Sequence, residues 1–327
     1  MKQSRASLRR RRHTFPPLPY KTVNAMAGTK EIKNRIASVK DTQKITNAMY
    51  LIASTKMRKA KNSLDQTRPY FSALQGEIKR IFRTAGSVES KYFYPADGSP
   101  APDGTYGVLV VTADKGLAGA YNQNAIKEAM KLLSEHQDTK LFVVGEYGRQ
   151  FFSRHHISIE KSFLYTAQNP TMDRAREISS LLLSLFDSGK LDKIFVVYTD
   201  LKNGLTAQAV STRLLPFHRA QFASAAKEKA VTTPFEFFPS LGTVLDNIMQ
   251  SYVSGYIYSA LVDSFCSEQS ARMTAMNSAN QNAEKILGTL SAQYNRIRQA
   301  GITQEITEVS SCAKAQKEKR MKEVSGS

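Results

Sequence analysis

The chain has 327 residues, 41% of them apolar, enough for one large domain or two modest ones and too many for wholesale disorder. Its formal charge is +18, from 46 Lys and Arg against 28 Asp and Glu, which raises the question of an anionic partner. No run approaches roughly 20 uninterrupted apolar residues, so no segment is expected to span a bilayer as a helix.

Residues 1–25 hold seven basic residues (Lys2, Arg5, Arg9, Arg10, Arg11, Arg12, Lys21) and no acid. Without them 39 basic residues face 28 acidic ones and the charge falls to +11. No apolar run marks a secretory signal, and Pro16, Pro17 and Pro19 oppose the amphipathic helix of a transit peptide. The segment reads first as the product of an upstream translation start, with the natural start at Met26, and second as an Arg-rich organelle transit peptide; either way it is expected to be disordered or absent from the mature protein.

Residues 26–83 read as one long helix. Ile32, Ile36 and Val39, then Ile45, Met49, Ala53, Met57, Ala60 and Leu64, step by three or four and make a single apolar stripe. Phe71, Leu74, Ile78 and Ile81 resume it after Pro69, where a kink or break is expected.

Residues 84–240 read as an α/β domain. Segment 84–105, with Gly86, Pro95, Gly98, Pro100, Pro102 and Gly104, is a connecting loop. Buried-strand runs lie at 107–112, 141–145 and 193–198, and 205–215 alternates as a further strand at an edge. Helical stretches at 123–136, 146–155 and 172–188 separate them. Alternating β and α predicts a mostly parallel sheet with helices on its faces. Segment 217–240, punctuated by Pro234 and Pro239, leads back out.

Residues 241–313 contain no proline and read as a second long helix. Met273, Met276, Ala283, Leu287, Leu290, Tyr294 and Ile297 follow a seven-residue repeat, the mark of a coiled-coil seam. Ile302, Ile306, Val309 and Ala313 continue it with a one-residue shift at Gly301. Such a stripe is too long to bury in a compact domain, and its natural partner is the first helix, antiparallel to it. Cys266 and Cys312 would lie about 70 Å apart on this helix and cannot pair within the chain. Residues 314–327 form a charged tail.

The chemistry-bearing residues give no catalytic constellation. Asp114–Asn122 is a glycine-containing turn between a strand and a helix. It lacks GxGxxG and the Walker pattern, so it reads as a tight turn with Asn122 near the cap rather than a phosphate cradle. The histidines (His13, His136, His155, His156, His218) show no metal-ligand spacing and read as surface residues. Residues 30–61 carry nine basic residues against Glu31 and Asp41, with Tyr50 the single aromatic that could stack a base. An acidic protein surface therefore suits this helix better than nucleic acid. Between Glu268 and Glu308 the second helix is balanced, four basic against four acidic.

The terminal segments resemble a known family. Met26–Ile36, Thr42–Met49 and Ala53–Ala60 are similar to the N-terminal helix of the gamma subunit of F-type ATP synthases. Gln293–Gln299 and Ile302–Glu308 are similar to its C-terminal helix; Ser267–Met273 and the Asp114–Asn122 turn also resemble family sequence. The resemblance spans about 26–313.

It implies an α plus α/β fold: a long antiparallel coiled coil of the terminal helices with an inserted Rossmann-like domain. It implies a non-catalytic rotor shaft with no cofactor, metal or catalytic residue of its own. Its partners would be three alpha and three beta subunits of a catalytic ring, an epsilon subunit and the membrane c ring, without nucleic acid and without direct insertion into the membrane. Lys56, Arg58 and Lys59 match family positions near an acidic lever of beta; Arg272, Arg298, Gln299, Thr303 and Glu305 match positions that meet the ring's loops; Met49 matches a position that affects energy coupling. The implied place is peripheral, on the cytoplasmic face of a bacterial cell membrane, with an organelle inner membrane as second choice. Two departures stand out: the basic tail after Ala313 where the family ends in an apolar tip, and no cysteine-bearing regulatory insertion. The rival readings are a nucleotide-binding α/β protein with coiled-coil extensions and a basic coiled-coil adaptor for nucleic acid.

Overall fold

The computed structural model describes residues 25–85, 90–94, 104–164, 166–202, 206–218, 222, 236–238 and 240–325. The basic leader up to residue 24, His13 and most of the two connecting segments lie outside the described residues. Ten elements follow in order: α1 (Ala25–Ala85), β1 (Tyr106–Val111), α2 (Tyr121–Glu135), β2 (Thr139–Val144), α3 (Glu146–Arg154), β3 (Lys161–Phe163), α4 (Met172–Asp187), β4 (Lys193–Lys202), β5 (Thr206–Leu215) and α5 (Leu241–Ser325). They fall into two compact units, Gln43–Gln281 and the pair Met1–Thr42 with Asn282–Ser327.

In the larger unit the strands form one sheet in the order β3-β2-β1-β4-β5. β1, β2, β3 and β4 run parallel, and β5 closes the edge antiparallel to β4. Strand residues alternate between two cores, as a pleat requires. Val108, Val110, Leu141, Val143 and Val197 pack on Ile126, Ala129 and Leu132 of α2 and Phe152 of α3. Leu109, Val111, Phe142, Val144, Ile194 and Val196 pack on Ile178 and Leu182 of α4, on Ile78 and Ile81 of α1, and on Met249, Val253 and Ile257 of α5. Burial on both faces is why these strands read as unbroken Val-rich runs. Each such side chain contributes about 1.5–3 kcal/mol of transfer free energy.

The terminal helices pair antiparallel within this unit. Phe71 meets Gly255, the Cys266 thiol lies 3.9 Å from the Met57 carbonyl, and Asn47 meets Asn280. As the first number falls, the second rises by nearly the same amount. Asn280 also accepts from the Thr46 hydroxyl. A polar pair across a seam fixes register, because a slip would strand it. Gly255 permits a close crossing: a Cβ there would fall 1.9 Å from the Phe71 ring. Pro69 lies inside a helix that continues past it. Leu64 before it and Ile78 after it are both buried in the same core. Tertiary packing outweighs the local cost of the lost N–H.

The smaller unit is a seam alone. Ile32, Ala283 and Leu290 are buried, and Ile36, Val39, Leu287, Tyr294 and Ile297 are half-buried. Past Gly301 every described side chain through Lys317 is exposed, although the helix continues to Ser325. The apolar stripe therefore outruns its cover, and residues 314–325 continue α5 as helix.

Backbone-close glycines give two predictions. Gly145 starts α3 at φ 97° and a Cβ would fall 2.2 Å from the Thr112 carbonyl oxygen, with no side chain able to move aside. Gly145→Ala should cost about 2–4 kcal/mol, combining a positive-φ penalty with overpacking, read as a lowered urea midpoint. Gly255→Val should cost about 1–3 kcal/mol, and Phe71→Ala in the same chain should recover most of it. Additive losses would show that the two residues do not touch.

Candidate functional site

The sheet's open crevice is where an α/β protein of this order would hold a ligand. β1 ends at Val111 while β4 runs on, so beyond the Val110–Val197 pair the flank of β4 has lost its neighbour. In a doubly wound sheet the ligand sits at such a switch point, outside the strand ends. Here α5 fills it. The Thr199 N–H donates to the Ser264 hydroxyl at 3.0 Å, and the Ser267 hydroxyl donates to the Thr199 carbonyl at 3.1 Å. Both backbone groups are buried, and each would cost energy if left unpaired.

The Asp114–Asn122 turn docks on the same stretch of α5. Asn122 accepts the Ala113 N–H at 2.9 Å, so its side chain braces the turn instead of capping α2. Leu117 and Gly119 take positive φ and fold the turn back on itself. Arg272 is 9% exposed; it pairs with Glu268 and donates to the Gly116 carbonyl at 3.2 Å. Gln269 donates to Glu268 at 3.1 Å. Burial pushes the Glu268 carboxyl up, and Arg272 opposes the shift. Tyr121 is buried here, its phenol raised by desolvation and then by Glu268. The turn thus presents a carbonyl to a protein guanidinium, and the crevice holds a helix. That geometry removes the basis for a nucleotide-binding reading.

The remaining sequence-flagged residues lie on the surface. On α1, Lys56, Arg58 and Lys59 are exposed and Met49 is half-buried. Around them Ile45, Leu51 and Ile52 are exposed at 61%, 64% and 55%. On α5, Arg298, Gln299, Thr303 and Glu305 are exposed, beside the uncovered Ile302, Ile306 and Val309. The Thr303 hydroxyl is turned inward to the Gln299 carbonyl at 2.9 Å. Large apolar side chains set among charges on otherwise regular helices mark protein-covered faces. Sequence reasoning missed Ser264, Ser267, Tyr121 and Glu268. The available signal was the loss of the seven-residue pattern where α5 becomes buried on all sides, between Ala260 and Gln269.

Comparison with known proteins fits a shaft without a catalytic centre. Residues 28–316 match the family model described as ATP synthase. The chain is 42% identical over 290 residues to the ATP synthase gamma chain of Caldanaerobacter subterraneus subsp. tengcongensis, covering 86% of this chain and 98% of the relative. The chain belongs to the ATP synthase gamma-chain family. It is 33% identical to the sodium-ion-specific ATP synthase gamma chain of Acetobacterium woodii, over 87% of this chain and 97% of that one. Its fold is similar to a chain of the Euglena gracilis mitochondrial ATP synthase, with a TM-score of 0.61 at 14% identity, covering 89% of this chain and 95% of that one. A central-stalk chain of the Tetrahymena thermophila mitochondrial enzyme gives 0.53 at 24% identity, covering 72% and 99%.

As a gamma chain it is a non-catalytic subunit of ATP synthase and the shaft of its central stalk. It couples ion-driven rotation of the c ring to conformational change at the catalytic subunits. For a gamma chain, the joint between turn, β4 and α5 is what makes the α/β domain and the coiled coil one body within residues 43–281.

Two predictions test that joint. Arg272→Ala would leave Glu268 buried without its counter-charge and should destabilise by about 3–5 kcal/mol; Arg272→Ala with Glu268→Gln should recover a large part, and equal losses would contradict the pairing. Asp263, on α5 beside Asp200 and Arg68, is raised to about 6, first by burial and then by Asp200. Because the folded state holds this proton more tightly than the unfolded chain, stability falls as pH rises from about 4 to about 6 and stays lowered above it. Asp263→Asn should flatten that slope and raise the pH 7 stability by up to about 3 kcal/mol in urea unfolding.

Proposed function

We propose that this shaft touches its ring through two exposed faces. One is Met49, Lys56, Arg58 and Lys59 on α1, and the other is Arg298, Gln299, Thr303 and Glu305 on α5. The observation that carries the proposal is the α1 face, where exposed cations surround Ile45, Leu51 and Ile52. An acidic protein surface would satisfy the lysines and arginine while an apolar rim covers the rest. The ring would hold three alpha and three beta subunits, with an epsilon subunit and the c ring at the foot. Each beta subunit is a bistable element, and the angle of an unequal shaft decides which state has the better contacts. Arg272 takes a different part: buried against Glu268 and Gly116, it holds the domain to the shaft. No described helix is long and apolar enough to cross a membrane. With bacterial relatives, that supports peripheral attachment at the cytoplasmic face of a bacterial membrane.

Co-purification tests assembly: tagged chain should bring down alpha and beta subunits in a three-to-three-to-one ratio and be required for their ATP turnover. Recovery as a free monomer without effect on the ATPase would sink the proposal. Lys56→Glu with Arg58→Glu should lower ATP-driven rotation at least ~10-fold through like-charge contact, with partial relief as salt screens it. Unchanged rotation would remove these residues from the contact.

A further inference from the structure

Between α1, the loop at 166–170 and α5 lies a cleft of about 370 Å³, within the range of small-molecule sites. Lys56 and Lys59 stand one helical turn apart on one wall, Gln168 and Asn169 bring side-chain amides from the loop, and Val262 and Phe265 form an apolar floor. The charged lining is two lysines with no carboxylate. Glu268, close enough to Lys56 to feel its charge, is already held by Arg272. Neither lysine has an ion pair among the described residues. By contrast, the cleft of about 420 Å³ between α1, α4 and α5 carries Asp187 as well as Arg176, and so has no net sign.

Two ammonium groups, two amides and a greasy floor on one concave surface select a molecule with an anionic head and an apolar body. A cation would meet two like charges, and a fully polar anion would make no use of the apolar wall that Ala60, Pro170, Val262 and Phe265 give the cleft. We infer that this cleft is a binding site for a small amphiphilic anion, an aliphatic or aromatic carboxylate, sulfonate or phosphate monoester. Occupation would place negative charge against Lys56 and Lys59, the cations proposed above to meet an acidic partner. A bound anion would therefore weaken that contact and loosen coupling; this consequence rests on the proposed partner, whereas the binding does not.

The test uses the full-length chain with 8-anilinonaphthalene-1-sulfonate as the anionic probe and N-phenyl-1-naphthylamine as its uncharged counterpart. Saturable binding of the sulfonate should weaken about tenfold in Lys56→Ala with Lys59→Ala, a loss of about 1.4 kcal/mol, while the amine binds as before. Gln168→Ala with Asn169→Ala, outside both helices and outside the proposed ring contact, should also weaken the sulfonate. Octanoate or hexyl phosphate should displace it, and which one acts better identifies the head group preferred. Displacement by neither, or undiminished sulfonate binding in the double-lysine chain, overturns the inference. So does loss of binding in Leu51→Ser with Ile52→Ser alone, which would put the probe on the open face of α1. Arg58→Glu alone in the rotation assay decides the ring contact separately, since Arg58 does not line the cleft.

Discussion

The rest of the larger unit depends on the two hydrogen bonds between Thr199 and the serines of α5. A strand that outlives its neighbour in a buried sheet has an N–H and a carbonyl with nowhere to go. Ser264 and Ser267 answer both from a helix, so α5 must lie against β4 at this height and in this rotation. Once it does, Glu268 and Arg272 are carried into the interior at the turn after β1, where they pair with each other and with the Gly116 carbonyl. The antiparallel partner then follows: α1 crosses α5 closely at Gly255 and locks in register at Asn280.

The same constraint separates the molecule's charges. Buried ionic groups are neutralised in place: Glu268 by Arg272, with Asp263 holding its proton to about pH 6. The excess positive charge therefore lies outside, and on α1 it lies along one exposed stretch with apolar residues in it. α5 is balanced over the corresponding length. A shaft built from one basic and one neutral helix presents different faces at different angles, which is the property a rotor needs if a single chain is to tell identical subunits apart.

Most of the fold was legible because it is written in periodicity. Val-rich runs gave β1, β2 and β4 to within a few residues, alternation gave β5 and its edge position, and steps of three and four gave both long helices. β3 was not legible: Lys161, Ser162 and Phe163 carry no pattern, and the strand exists only because β2 offers a free edge. Pro69 left a kink or a break open, because the sequence does not show that the residues around it are buried by distant segments, which carry the helix past it. At the site, the exposed basic face was readable from charge alone. The joint was not, because Ser264, Ser267 and Tyr121 are ordinary polar residues whose partners lie dozens of residues away. Arg272 illustrates the difficulty: its charge suggests the surface, and only the fold shows the carboxylate and carbonyl that take it inside.

The core on the α4 side of the sheet draws Leu64, Ile78 and Ile81 from near the beginning of the chain and Met249 to Cys266 from near its end. During synthesis the sheet can form before α5 exists, but its inner face, with Leu109, Val111, Phe142 and Ile194, then has no cover from α5. The flank of Thr199 stays open for the same interval. A nascent chain halted before Cys266 leaves the ribosome therefore displays a sticky, half-finished surface at the growing subunit's centre. Completion of this subunit is a post-emergence event, in which the last helix to be translated closes a structure begun by the first.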